Sequence, residues 1–575
     1  MRTATLASLF IFSFILLSPA PAAAKPAQNS TYTNPILPGF HPDPSCIFVP
    51  EWDNTFFCAT SSFNAFPGIP IHASKDLQNW RLIANVLNRE SQLPELATVN
   101  SSTGGIWAPT LRYKNGTFWL VTTLVYDDYA QNDSSRWDNI VFKSSNPYDQ
   151  STWSNPIHFD FNGYDTSPFW DTDGQVYMVG SHAWQVYPSI QIARINLHTG
   201  ATGDWTTLWT GTGGLAPEGP HIYYKDDMYY LMIAEGGTGL DHMETIARSS
   251  HLMGPYEANP ANPVLTAANT TRFFTTVGHA DLFQDASDNW WAVALATRSD
   301  ASSAYHPMGR ETVLTPVTWK RGDWPVLDPV EGEMEGWPLP KQSLNVKGDG
   351  PWISDGDDID FAPGSSLPRH LTYWRIPSPD SYTISPNDHP YTLQLDPSWA
   401  NLTGLNAKSA PASGVSFLGR RQQDTLFTFS VDLSYTPRSS NEEAGVTVFL
   451  QQNKHVDLGI VRLSDNKPYL RVRGISTGAD AVPLPSYEAA LPSGWAGQPL
   501  HLEIQALNFT HYSLSAGPAS ARSEMQTLAY PVNSALSWGF TGTSVGIYAT
   551  SNGGDGTTPA YFSNWSYIPQ GQYVN

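Results

Sequence analysis

The sequence predicts an all-β protein in two parts, a five-bladed β-propeller over residues 30–330 and a jelly-roll-like β-sandwich over residues 356–575. Three observations predict this. Short aromatic and β-branched runs bounded by Gly, Asn, Asp and Pro recur along the chain, and few segments show helical periodicity. A polar turn followed by paired bulky residues returns five times, at 53, 115, 173, 226 and 288. Beyond residue 356, strands alternate between apolar and polar side chains, as half-buried sheets do.

Taken in order, residues 1–24 read as a secretory signal peptide: one arginine, an apolar run, then small residues ending near Ala24. The five turns are "DNTFF", "NGTFW", "DGQVY", "DDMYY" and "DNWW". Asn-Gly and Asp-Gly supply the positive φ that tight hairpins need. Each turn is preceded by a related run: "DPSCIFV", "APTLRY", "DTSPFW", "EGPHIYY" and "HADLFQ". Separations of 53 to 62 residues suit one four-stranded blade per repeat. Residues 331–355, rich in Pro, Gly and Trp, read as a connector laid over a surface. In "FTFSVDLSY" Phe427, Phe429, Val431 and Leu433 face one way, with Thr428, Ser430 and Asp432 facing the other, which predicts the sandwich.

The composition narrows the function. A formal charge of −21 over 575 residues argues against nucleic acid and anionic membranes as partners, and no later apolar run is long enough to span a bilayer. With 21 Trp, 26 Tyr and 25 Phe, aromatic platforms for sugar rings are available, although most aromatics fill cores. Eight Asn-x-Ser/Thr sequons (Asn29, Asn100, Asn115, Asn132, Asn269, Asn401, Asn508 and Asn564) suit a secreted glycoprotein. Two cysteines cannot form a disulfide scaffold or a Cys-rich metal site. Cys46 and Cys58 flank a predicted hairpin, and either a cross-strand disulfide or two buried thiols fits that position.

If the repeats surround one axis, the heads of their inner strands converge. Those heads are Asp43, the Trp107-Ala108 step, Asp165, Glu218 and His279. Gathering three acids is costly, because neighbouring like charges resist ionisation, so the cluster reads as a site. Two carboxyl groups across a pocket suit glycoside hydrolysis, one protonating the leaving oxygen and the other acting opposite. A third raises the acid's pKa and orients it. Metal binding by Asp43, Asp165 and His279 is the rival use.

The motifs "NPILPGFHPDPS", "GGIWAPTLRY", "GYDTSPFWDTDGQVY", "APEGPHIYY", "ETIARS", "GHADLF" and "MGRETVL" resemble glycoside hydrolase family 43. More narrowly, the chain is similar to the β-xylosidase and α-L-arabinofuranosidase branch with a C-terminal β-sandwich. The resemblance implies Asp43 as general base, Glu218 as general acid, and Asp165 as the residue that modulates and orients that acid. It implies substrate contact by Arg310, by aromatic walls at Phe63 and Trp107, and by Tyr164 on the rim. His279 matches an axial histidine that in some relatives helps hold a metal through water. No cofactor is required; a structural Ca²⁺ on the axis is the one implied option. Taken alone, Arg310 could simply pair with Glu311, His279 could be a core histidine, and Phe63 and Trp107 could be packing. The sandwich either binds polysaccharide or closes the pocket through "WGFTGTSVG", where some relatives carry an aromatic residue in place of Ser544.

The expected protein is a secreted, inverting, exo-acting enzyme releasing terminal arabinofuranose or xylose from plant cell-wall arabinoxylan or its oligosaccharides. The alternatives are an endo-arabinanase of the same family and a non-catalytic carbohydrate-binding propeller. Fructan hydrolases need an Asn-Asp-Pro-Asn-Gly nucleophile motif and a Glu-Cys acid, and the sequence contains neither.

Overall fold

Each aromatic hairpin becomes the first two strands of an antiparallel sheet, and five such sheets follow one another in chain order. The structure, a computed structural model, describes residues 1, 30–299, 302–404, 414–479, 481–537 and 540–575; the expected signal peptide beyond its first residue, and the sequon at Asn29, lie outside the described residues. Blade 1 comprises Ser45–Val49, Thr55–Ala59, Gly68–Ser74 and Arg81–Leu87. The inner strands of blades 2 to 5 are Gly105–Lys114, Gly163–Trp170, Glu218–Lys225 and Phe274–Gln284. Among the described residues of the propeller, two hairpin loops hold just two residues, both with positive φ: Asn115 (51°) with Gly116 (79°), and Asp226 (53°) with Asp227 (61°). Those are the dihedrals that let a two-residue turn match strand twist.

Cys46 and Cys58 are register partners in blade 1 and are joined as a disulfide, which settles the two readings open at the sequence level. The ring is closed by the segment entering blade 1. Ile36 N–H donates to Thr312 O at 2.9 Å, and Asn34 brackets Leu314 by accepting from its N–H (2.9 Å) and donating to its carbonyl (3.0 Å). Ser30–Thr33 pairs with Glu333–Gly336, so the propeller's two ends are strapped together. From there the chain runs over blade 1, where Arg81 donates to Gly350 O (2.8 Å) and Val346 O (3.0 Å).

The second part packs two antiparallel sheets face to face. One is centred on Leu426–Ser434 beside Ala560–Gly571, the other on Glu443–Gln451 beside Ser544–Thr550. Phe427, Phe429, Val431 and Leu433 are fully buried between them, each contributing about 1.5–3 kcal/mol by leaving water. On the opposite face Asp432 is also buried, because His501 (2.8 Å), Arg522 (3.1 Å) and Asn564 (2.7 Å) satisfy its carboxylate. The two parts share hydrogen-bonded backbone. Tyr373–Trp374 pairs with Ala65–Phe66, and Thr543 N–H donates to Pro307 O at 2.8 Å.

The disulfide closes a short loop within one blade, so removing it frees only that loop's unfolded ensemble. The Cys46→Ser/Cys58→Ser variant is expected to lose about 3 kcal/mol of stability, read by denaturant unfolding, with unchanged activity per folded molecule. Equal unfolding midpoints for variant and parent would show that the bridge contributes nothing.

Candidate active site

One backbone conformation recurs at the entry to every inner strand. Asp43 (φ 52°), Ala108 (31°), Asp165 (52°), Gly219 (57°) and His279 (52°) all lie in the left-handed region. In blades 2 to 5 these residues sit in bulges, where the register slips between Trp107 and Thr110, Tyr164 and Ser167, Glu218 and His221, and Gly278 and Asp281. For a non-glycine residue this geometry costs roughly 1–2 kcal/mol, and repeating it around an axis aims side chains at the centre. The equivalent residue in blade 4 is therefore Gly219, not Glu218, which corrects the sequence alignment of heads by one position. Glycine suits this position, since a Cβ would lie 3.0 Å from His279 Nε2 and crowd that ring.

That offset brings the acids together. Gly219 N–H donates to Asp165 Oδ2 at 3.1 Å, while Glu218, one residue earlier, accepts from the Tyr164 hydroxyl at 3.3 Å. Asp43 accepts from Ser61 Oγ (2.5 Å) and Arg310 Nη1 (2.8 Å). His279 Nδ1 lies 3.9 Å from Asp43 and 4.0 Å from Asp165. Glu311 is buried and engaged by Arg298 through two bonds of 2.6 and 2.9 Å, so it is Asp43 that Arg310 meets.

The same contacts split the acidities. Burial pushes Asp43 up, but Arg310, His279 and the Ser61 hydroxyl outweigh it and hold the carboxyl below its ordinary value. Glu218 is pushed up to about 7 by burial and by the charge of Asp43, against the opposing effects of Arg310 and the Tyr164 hydroxyl. Asp165 is raised well above the carboxylate range by burial and by the charges of Glu218 and Asp43. Burial lowers His279 below its ordinary value, against the opposing pull of Asp43.

These groups line a pocket of about 340 Å³ together with Phe63, Trp107, Leu215 and Phe540. The Phe63, Trp107 and Phe540 rings lie 5.5 to 6.0 Å from one another, and the Arg310 guanidinium sits over Phe540 at 4.9 Å. Phe540 belongs to the sandwich, and its carbonyl accepts from Arg310 Nε at 3.1 Å. The second domain thus supplies a pocket wall. Ser544 does not reach this pocket; it lines a separate small cavity behind it. Tyr164 is not on the rim: it is 3% exposed and stacks on Trp137 at 5.3 Å beneath Glu218.

Below the acids lies a polar layer that the sequence reading missed. The residues two beyond the left-handed positions are Ser45, Thr110, Ser167, His221 and Asp281, and Arg112 reaches among them from blade 2. Arg112 donates to both Asp281 oxygens (2.7 and 3.1 Å) and to Ser45 Oγ (3.0 Å), and lies 3.1 Å from His221 Nδ1. The signal was present as a polar residue at the same offset in all five heads. The layer also bears on an axial calcium ion. Calcium takes six to eight oxygen ligands, whereas the axis below His279 holds a guanidinium, and Asp281 is committed to Arg112, Ser45 and Tyr223. The donor set does not fit the ion. Among the described residues no group of three or more His, Cys, Asp or Glu side chains is placed to hold a metal.

A propeller-axis pocket with three carboxyl groups of split acidity and aromatic walls defines a glycoside hydrolase. Comparison with known proteins agrees: glycosyl hydrolases family 43 matches residues 32–325, and a β-xylosidase C-terminal concanavalin A-like domain matches residues 358–568. The chain belongs to glycoside hydrolase family 43. It is 34% identical to a non-reducing end α-L-arabinofuranosidase of Bacteroides ovatus, over 93% of this chain and 94% of that protein. It is 32% identical to a xylosidase/arabinosidase of Butyrivibrio fibrisolvens, over 93% and 98% of the two chains. A solved xylan β-1,4-xylosidase of Bacillus halodurans superposes with a TM-score of 0.81 at 28% identity, covering 93% of this chain and all of that one.

The Tyr164 hydroxyl stabilises ionised Glu218, so Tyr164→Phe is expected to raise the Glu218 pKa and move the alkaline limb of the kcat/KM profile to higher pH. A limb that stays in place or moves down would contradict this role.

Proposed function

We propose that the protein is an inverting, exo-acting α-L-arabinofuranosidase and β-xylosidase, taking terminal pentosyl residues from arabinoxylan or its oligosaccharides. The observation that carries this is the division of acidity between Asp43 and Glu218. At weakly acidic pH Asp43 is ionised and can take a proton from water, while Glu218 is protonated and can donate to the leaving oxygen. Asp165, itself held high, accepts from the Gly219 N–H next to Glu218 and so orients the segment that carries the acid. Direct attack by the activated water inverts the anomeric centre.

Binding follows from the remaining groups. Arg310 Nη2 is buried without a partner beside the pocket and is available to a sugar hydroxyl, as is the His279 ring. The aromatic walls at Phe63, Trp107 and Phe540 suit the apolar face of a pentose ring. A volume near the lower end for ligand pockets suits a terminal residue better than a threaded polymer. That argues against the endo-arabinanase reading. The names of the relatives support both pentosides, and the signal sequence together with six exposed sequons (Asn100, Asn115, Asn132, Asn269, Asn508 and Asn564) supports a secreted glycoprotein.

Glu218→Gln is expected to retain oligosaccharide binding by calorimetry while losing about 10²–10⁴-fold in kcat; undiminished turnover would remove Glu218 from the mechanism. With arabinoxylan and linear xylo-oligosaccharides as substrates, NMR should show the inverted anomer first, and early retained anomer would refute direct displacement. The kcat/KM profile should fall as pH rises through about 7, where Glu218 loses its proton, and EDTA should leave activity unchanged.

A further inference from the structure

The seam between the domains holds another, much smaller cavity of about 20 Å³, lined by His41, His72, Arg420, Arg421 and neighbouring residues. That is room for one water-sized species. Arg421 is 9% exposed, its Nη2 is buried without a partner, and it makes no ion pair among the described residues. His41 Nε2 and His72 Nδ1 are likewise buried and unpartnered, with the two rings 4.9 Å apart edge to face. Arg420 is already balanced by Asp357 at 2.9 Å. Asp355 lies at the cavity's exposed rim, accepts from Trp352 N–H at 2.9 Å, and makes no ion pair with Arg421. Burial and the Arg421 charge drive both histidines far down, His72 to about 3, so they contribute no charge.

Burying a guanidinium with no counter-ion is costly, and a neutral water in the cavity would not cancel its charge. We propose that this cavity binds one halide-sized monovalent anion, chloride under ordinary conditions, held by Arg421 with His41 and His72. The small volume favours a monatomic anion over sulfate, phosphate or a carboxylate ligand. The ion sits where both domains meet the catalytic pocket. His41 N–H donates to Arg310 O at 3.1 Å, and His41 lies two residues before Asp43. Gln422, next to Arg421, donates through its backbone to Thr543 O (3.0 Å) and accepts from the Thr543 hydroxyl (2.8 Å), anchoring the loop that presents Phe540. The anion therefore steadies Arg310 and Phe540 from behind, as a positioning element. Its binding stands apart from the proposed activity, whereas its effect on KM rests on that reading.

The test uses full-length protein dialysed into sodium gluconate and titrated with sodium chloride or bromide at constant ionic strength. The thermal midpoint is expected to rise saturably by a few degrees with either halide. Bromide-soaked crystals should show an anomalous peak bounded by Arg421, His41 and His72. Arg421→Met should abolish the halide response; if that variant does not fold, the bromide peak and titration of the parent decide the matter alone. For the parent, KM for an aryl arabinofuranoside should fall severalfold on adding chloride with kcat little changed. Equal midpoints in gluconate and chloride, no bromide peak in the cavity, or an undiminished response in Arg421→Met would overturn the proposal. Halide binding without a KM effect would overturn only the coupling to the pocket.

Discussion

Three carboxyl groups share one permanently charged cation in a buried pocket, and the rest of the site follows from that imbalance. Arg310 touches Asp43, so Asp43 is the acid that stays ionised. Its negative charge, together with burial, then makes it costly for Glu218 and Asp165 to ionise. A base and an acid therefore coexist at one pH. Placing a second arginine beside Glu218 would erase the difference.

The carboxyl groups meet because each inner strand enters through a left-handed residue. Only glycine adopts that conformation without penalty, yet Asp43, Asp165 and His279 hold it. The strain is sustained by what lies underneath. Arg112 links side chains from blades 1, 4 and 5 into one layer, with Ser167 of blade 3 joined through His221 at 3.0 Å. This layer fills the axis with satisfied polar groups, so the acids above it rest on a rigid floor. In blade 4 glycine itself occupies the left-handed position. Its N–H serves Asp165, and the acid is carried by the residue before it.

The sandwich is part of the site rather than an appended module. Its loop brings Phe540 against Phe63 and Trp107, and the Phe540 carbonyl fixes the far side of Arg310. Close backbone packing makes the seam intolerant of added side chains: a Cβ on Gly309 would lie 2.2 Å from Thr541 O, and one on Gly542 2.3 Å from Met308 O. Pocket shape and domain docking are thus one problem.

The sequence by itself determined what repeats locally. The five turns, the alternating strands of the sandwich and the polar heads could be read because hairpin dihedrals and strand periodicity depend on near neighbours. Asp43, Glu218 and Asp165 were legible for the same reason, as polar residues at the start of each repeat. Only the tertiary structure decided the rest. The blade 4 equivalence falls on Gly219, which a one-residue bulge hides from spacing alone. Tyr164 goes beneath Glu218 instead of to the rim because Trp137, from another strand, stacks on it. Phe540 enters the pocket from a loop more than 200 residues beyond Arg310, and Arg112 finds partners in other blades. Such contacts are set by how sheets pack around an axis, and no local pattern of residues encodes that distance.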